Sequence, residues 1–273
     1  RIVLIGRDNV FADSLSSGGL QGMLDAPLLL NPVDRLSDRT KQNLDRLQPE
    51  QVILLGGPVA QSVVVEAELE RLGWNVSRVH GPTRIETAID AARVHAPGAV
   101  EGVLARAYAS DWGSGTQAFA DALGGGAFAA RTQRPVFLTE SGVLTESLRA
   151  YLVSSKIRRM TIIGSSDAVS PQVEVALRAM GIVTTRIAGD NRAQTAVRIA
   201  NALGYWNAGE AESALVVNGE HEDAWTDAFP AALFAKRYEL PVVLSGKDAL
   251  LPETATWLAP GATRKPPTRV ICG

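Results

Sequence analysis

The 273-residue chain predicts an α/β protein made of repeated parallel-sheet lobes. Three observations carry that expectation. A phrase returns as Phe11-Ala12-Asp13-Ser14-Leu15, Phe119-Ala120-Asp121-Ala122-Leu123 and Trp225-Thr226-Asp227-Ala228-Phe229, its aspartates 108 and then 106 positions apart. Each of these aspartates is followed after 14 residues by a proline that opens an apolar run: Pro27-Leu28-Leu29-Leu30-Asn31, Pro135-Val136-Phe137-Leu138-Thr139 and Pro241-Val242-Val243-Leu244-Ser245. Between such runs lie stretches with the 3.6-residue period of amphipathic helices. Short, nearly continuous apolar strands alternating with helices describe parallel sheets covered on both faces.

Self-similarity at a fixed period organises the whole reading. A second apolar run closes each unit, as Val52-Ile53-Leu54-Leu55-Gly56, Met160-Thr161-Ile162-Ile163-Gly164 and Val270-Ile271-Cys272-Gly273. The extra spacing in the third unit falls at residues 261–267, which are rich in turn formers. The divisions are a partial first unit at 1–78, a complete second at 79–185 and a partial third at 186–273. In the middle unit we expect a strand near Val103–Ala105, a helix over Ala118–Ala130, a strand at Pro135–Leu138 and a helix over Thr145–Val153. A strand at Met160–Ile163, a helix over Pro171–Met180 and a strand at Thr184–Ile187 complete it. Ser170-Pro171 is a helix start with proline at its first position, and Gly181 stands where that helix should stop. A unit of this length is a small domain in its own right, so the repeat implies compact lobes and not a thin solenoid.

Composition narrows the function. A net charge of −2 provides no broad positive field for nucleic acid, so any anion must be held locally. No run of about 18 uncharged apolar residues is present, so no membrane insertion is expected. The single cysteine, Cys272, excludes internal disulfides and is expected to be a small buried apolar residue. No cofactor is expected: neither a Gly-x-Gly-x-x-Gly turn after a strand nor a phosphate-binding Gly-x-x-x-x-Gly-Lys loop occurs. Gly18-Gly19 and Gly124-Gly125-Gly126 are expected to serve close packing. The three histidines, His80, His95 and His221, belong to no hydrolase signature. Glu220-His221-Glu222-Asp223 is expected to be a solvated loop, and Trp112 and Trp225 to pack in the core or at interfaces, with stacking on sugar rings as the alternative.

The candidate binding residues come from the other repeated stretch, Gly81-Pro82-Thr83-Arg84-Ile85-Glu86-Thr87-Ala88, whose essentials return as Gly189-Asp190-Asn191-Arg192-Ala193-Gln194-Thr195-Ala196. In both copies a strand ends at glycine, and Arg and Thr then open a helix, placing a guanidinium and a hydroxyl beside unpaired backbone N–H groups. Such a place suits an anion. The alternative is architectural, with the arginines in salt bridges between units and the threonines capping helices. Ligands of open parallel sheets bind beyond the carboxyl ends of the strands. That rule gathers Arg84, Thr87, Asp121 and Thr139 in the middle unit, Arg192, Thr195, Asp227 and Ser245 in the last, and Asp13 and Asn31 in the first. The aspartates are expected in the first turns of helices, as caps, as orienters of an arginine, or as acceptors from sugar hydroxyls.

These residues resemble the cell wall binding repeat 2 family of bacterial surface proteins. The resemblance rests on Arg186-Ile187-Ala188-Gly189-Asp190-Asn191-Arg192-Ala193-Gln194-Thr195-Ala196, on Phe119-Ala120-Asp121-Ala122-Leu123, on Pro135-Val136-Phe137-Leu138-Thr139 and on Leu54-Leu55-Gly56-Gly57. It implies Rossmann-like or flavodoxin-like parallel-sheet modules in tandem around a pseudo-threefold axis. It also implies a non-enzymatic anchor, extracellular at the bacterial wall or secreted, which holds an attached domain by binding an anionic wall polysaccharide or teichoic-acid-like polymer. Two other readings stand beside it: an enzyme acting on wall glycan or peptide, and a purely structural surface-layer protein.

Overall fold

The computed structural model describes residues 1–110, 114–206 and 213–259, with the backbone of 268–272. The first unit comprises β1 (Ile2–Arg7), a 3-10 turn (Ala12–Ser16), α1 (Ser17–Leu24), β2 (Leu28–Asn31), α2 (Asp38–Leu47), β3 (Gln51–Leu55), α3 (Val63–Arg71) and β4 (Val76–Val79). Helix α4 (Arg84–His95) leads into β5 (Glu101–Arg106), α5 (Gln117–Thr132), β6 (Val136–Thr139), α6 (Glu146–Ser154), β7 (Arg159–Ile163), α7 (Pro171–Ala179) and β8 (Val183–Ile187). Helix α8 (Arg192–Ala202) leads in turn into β9 (Ser213–Asn218), α9 (Trp225–Ala228), α10 (Ala231–Arg237), β10 (Val242–Ser245), α11 (Pro252–Leu258) and β11 (Thr268–Cys272).

The strands form three separate parallel sheets, ordered β2-β1-β3-β4, β6-β5-β7-β8 and β10-β9-β11. Their registers superpose: Leu4 pairs with Leu28, Val103 with Val136 and Leu215 with Val242. Each opening strand is buried along its middle, which is why its apolar run is continuous and not alternating. The helix boundaries follow local chemistry. Pro171 opens α7, and Gly181, at φ 77°, lies just past its end.

The glycines expected to pack do so. A Cβ on Gly18 would collide with the backbone of Gly126, one on Gly22 with that of Ala130, and one on Gly19 with the carbonyl of Arg134. Helices α1 and α5 therefore meet backbone to backbone, and α10 packs against both, so that equivalent helices of the three units surround a common axis. The buried side chain of Gln21 closes this centre by donating to the Phe229 carbonyl (2.8 Å) and accepting from Leu233 N (3.2 Å). On the rim, Asp25 pairs with Arg237 (2.8 Å) and Lys236 (3.3 Å). Most of the buried apolar residues form one cluster that runs through all three units.

Candidate functional site at the unit junctions

Helices α4 and α8 belong to the seams between sheets. Helix α4 packs on β6, on α6 and on the 3-10 turn of the first unit, whereas α8 packs on β10, α11 and α5. Each thus joins the aspartate phrase of one unit to the edge strand of the next. Helix α4 starts with a capping box: the Thr83 hydroxyl accepts from Ile85 N (3.1 Å), and Glu86 accepts from Thr83 N (3.2 Å). In α8 the cap is Asn191, accepting from Gln194 N (2.9 Å), while Gln194 accepts from Asp190 N (2.8 Å). One amide within the first turn of each helix, Ile85 N or Gln194 N, is thus engaged by its cap side chain. The caps are Thr83 and Asn191, and not the repeated threonines.

Both arginines point across the seam. Arg84 Nη1 donates to the Ala107 carbonyl (2.8 Å) and Arg192 Nη1 to the Gly219 carbonyl (2.5 Å), the first residues after β5 and β9. Neither is salt-bridged among the described residues, so the expected alternative of inter-unit ion pairs is not how they tie units together. The Arg84 guanidinium lies 4.7 Å from the ring of Tyr108 and 5.3 Å from that of Phe11. Arg192 also donates to Thr116 (3.0 Å) and lines a cleft of about 460 Å³ with Asn191, Ala193, Glu220, Leu251, Pro252 and Glu253. Desolvation lowers the proton affinity of both guanidinium groups. Tyr108 and Asp13 act in the opposite sense on Arg84, as do Asp121 and Glu220 on Arg192. Arginine stays cationic under such perturbation.

The repeated threonines are buried. Thr87 donates to Asp13 Oδ1 (3.1 Å) and accepts from Gly81 N (3.1 Å). Thr195 accepts from Gly189 N (3.0 Å) and donates to the Asn191 carbonyl (3.0 Å). Asp13 lies in the first turn of its 3-10 segment, whereas Asp121 is the fifth residue of α5 and lies just past the first turn, because that helix begins at Gln117, one residue before the expected start. Both carboxylates rest against a glycine just past a strand, Gly56 at φ 92° and Gly164 at φ 105°, where a Cβ would strike the carboxylate. Left-handed backbone and lack of space together require glycine there. Asp121 faces Arg106 at 3.6 Å. Burial raises its carboxyl to about 6 against the pull of Arg106 and Arg192.

The strand-end residues stay within their own units. Asn31 is buried and donates to the carbonyls of Pro32 (2.7 Å) and Arg35 (2.9 Å), and Thr139 donates to the Val143 carbonyl (2.9 Å). Ser245 donates to the Val217 carbonyl (3.4 Å). Their own carbonyls accept from Asp8, Ala107 and Gly219 N, so these three positions fix the loop after each opening strand. Asp227 lines a separate groove beside β2. Trp225 is buried and packs edge-on to Phe11 across the seam, as expected of a packing residue. Glu220 to Asp223 form an exposed loop. Among the described residues no group of three or more His, Cys, Asp and Glu side chains is placed to hold a metal ion. Among the described residues no helix is long and apolar enough to cross a membrane. Trp112, the turn at 261–267 and the side chain of Cys272 lie outside the described residues.

Two repeated arginines outside the sequence-predicted site residues also hold this architecture. Arg78 and Arg186 each donate to the carbonyl of the special glycine, Gly56 or Gly164 (2.8 Å in both), and pair with Glu66 (2.7 Å) or Glu174 (2.9 Å). Their 108-residue separation, the same as that of Arg84 and Arg192, was the available clue.

Comparison with known proteins agrees with this architecture. The chain is 26% identical over 249 residues to N-acetylmuramoyl-L-alanine amidase LytC of Bacillus subtilis, covering 91% of this chain and 46% of that protein. It is 26% identical over 256 residues to the amidase enhancer of the same organism, covering 91% and 32%. The chain thus spans less than half the length of these relatives. Among solved structures, Cwp6 from Clostridium difficile superposes with a TM-score of 0.83 at 22% identity, over 99% of this chain and 41% of that one. Cwp8 from Clostridium difficile gives 0.76 at 24% identity, over 94% and 42%. The family model of cell wall binding domain 2 matches twice, at residues 78–174 and 186–271. With both matches falling on the repeated units and their seams, this chain belongs to the cell wall binding domain 2 family.

Proposed function

We propose that this chain is a non-catalytic anchor that holds an attached protein on the bacterial wall by binding an anionic wall glycopolymer at its unit junctions. Family membership supplies the coarse statement, cell wall binding. The observation that supports the finer one is the matched placement of Arg84 and Arg192. Each is a half-buried guanidinium held at a seam by one backbone carbonyl, with no carboxylate in ion-pair contact among the described residues. Planar, forked and permanently charged, such a group suits phosphate or carboxylate. The cleft at Arg192 also presents Glu220 and Glu253, acceptors for the hydroxyls of a sugar chain. Two weak sites on one rigid body retain a repetitive polymer far better than either alone.

Cosedimentation with purified bacterial walls tests the reading. The double variant Arg84→Ala, Arg192→Ala is expected to lose about tenfold in retention, corresponding to roughly 1.4 kcal/mol, with an unchanged far-UV spectrum. Walls stripped of their anionic polymer should fail to retain the unsubstituted chain. Undiminished retention of the double variant would refute the assignment of these arginines. Release of muropeptides from walls by the chain alone would favour an enzyme instead.

A further inference from the structure

The two junctions surround their arginines with different chemistry. At the first, the residue after the carbonyl that Arg84 binds is Tyr108, whose ring lies 4.7 Å from the guanidinium. The carboxylate of Glu86 has both oxygens taken there, one by the Ser147 hydroxyl (2.6 Å) and the other by Thr83 N (3.2 Å). At the second, Glu220 stands in the place of Tyr108 and the neutral Gln194 in that of Glu86. Glu253, the second residue of α11, takes the place of Ser147, the second residue of α6. Glu220 and Glu253 both line the cleft of about 460 Å³ that holds Arg192. The Glu220 carboxylate acts on the Arg192 charge but makes no hydrogen bond or ion pair among the described residues. Glu253 accepts from Asn191 through one oxygen (2.6 Å), and that bond holds its carboxyl below the usual value. Its other oxygen bonds no other described residue.

These carboxylates change what the cleft can hold. The groups charged at neutral pH that act on Arg84 are Asp13 and Arg7, whereas Asp121, Glu220 and Arg106 act on Arg192, with Glu253 in the same cleft. A bare anion seated on Arg192 meets two carboxylates across a width comparable with the screening length at physiological salt, about 8 Å. Like charges so placed oppose binding. An ammonium on the same ligand reverses both contacts and turns them into charge-assisted hydrogen bonds. Leu251 and Pro252 give an apolar flank for the sugar ring between the two charges.

We propose that the second junction takes a zwitterionic repeat of the wall glycopolymer, with its phosphate or carboxylate on Arg192 and a free amine between Glu220 and Glu253, while the first junction takes an anion alone. The inference rests on the reading of Arg192 as an anion site and adds the amine to it.

The test is retention on purified bacterial walls, with Glu220→Gln and Glu253→Gln made together. A cleft for anions alone would hold walls more tightly once two repelling charges are gone. A cleft that recognises the amine is expected to lose roughly three- to tenfold in retention. Acetylated walls keep their phosphates, lose their amines and become more negative. They should retain the unsubstituted chain less well by about the same factor and should not distinguish it from the glutamine variant. Mild alkali removes ester-linked amino acids and spares amino sugars, so a fall or no fall after it assigns the amine to one source or the other. In solution, glucosamine 6-phosphate should shift the amide signals of Asn191, Arg192 and Glu220 at a roughly three- to tenfold lower concentration than glucose 6-phosphate, and the variant should lose that preference. Equal response to the two sugars, or undiminished retention on acetylated walls, would overturn the proposal. Retention on walls stripped of anionic polymer, whose peptides keep their amines, would also overturn it and give the cleft to wall peptide. If the glutamine variant holds or gains while Arg192→Ala loses retention, the amine falls and the anion site stands. Full retention of Arg192→Ala would overturn both.

Discussion

Asp13 of the first unit accepts a hydrogen bond from Thr87, 74 positions away on the helix that leads into the second unit. The bond joins a carboxylate over Gly56 to a buried hydroxyl that also accepts from Gly81 N. One side chain thereby fixes a seam and the turn before α4 together.

Thr87→Val keeps the shape but removes both interactions. It is expected to cost about 1–3 kcal/mol, since it leaves the half-buried Gly81 amide without its acceptor and removes a charge-assisted bond. A double-mutant cycle with Asp13→Ala, followed by denaturant unfolding, should return a coupling energy of about 1 kcal/mol. Strict additivity would show that the two groups do not act together in solution.

The contact between α1 and α5 makes an asymmetric prediction. A Cβ on Gly18 would run into the Gly126 backbone, whereas one on Gly126 comes no closer than 3.8 Å to Gly18. Gly18→Ala should therefore lose about 1–3 kcal/mol by overpacking. Gly126→Ala should be neutral or gain up to about 1 kcal/mol in helix propensity. Thermal melts of the two variants decide it, and equal losses would mean that the helices do not meet in this way.

Asp121 sets a pH dependence. Its carboxyl is raised by burial from the usual 3.8 to about 6, so the folded chain binds this proton more tightly than the unfolded one. The group's unfavourable contribution is absent below about pH 4, grows as the pH rises to about 6 and is constant above that, reaching on the order of 3 kcal/mol. Asp121→Asn should flatten this part of the curve of stability against pH. Arg106, left facing an amide, will offset some of the gain at neutral pH. Melting temperatures of both chains from pH 4 to pH 7 measure the difference, and parallel curves would place the titration elsewhere.

Much of this architecture is written locally in the chain. The apolar runs after Pro27, Pro135 and Pro241, the punctuation at Gly181 and the recurring aspartate phrase determine parallel strands, helices and their threefold repetition. Periodicity and turn chemistry act over a few residues, so they can be read without a partner. What the tertiary structure decided lies between residues far apart. It buried Thr87 and Thr195, turned Asn31 and Thr139 inward, set Asp121 beside Arg106, and aimed Arg84 and Arg192 at the carbonyls just past β5 and β9. Desolvation and the choice of hydrogen-bond partner depend on what packs across a seam, and neither is encoded in the spacing of residues along one strand or helix.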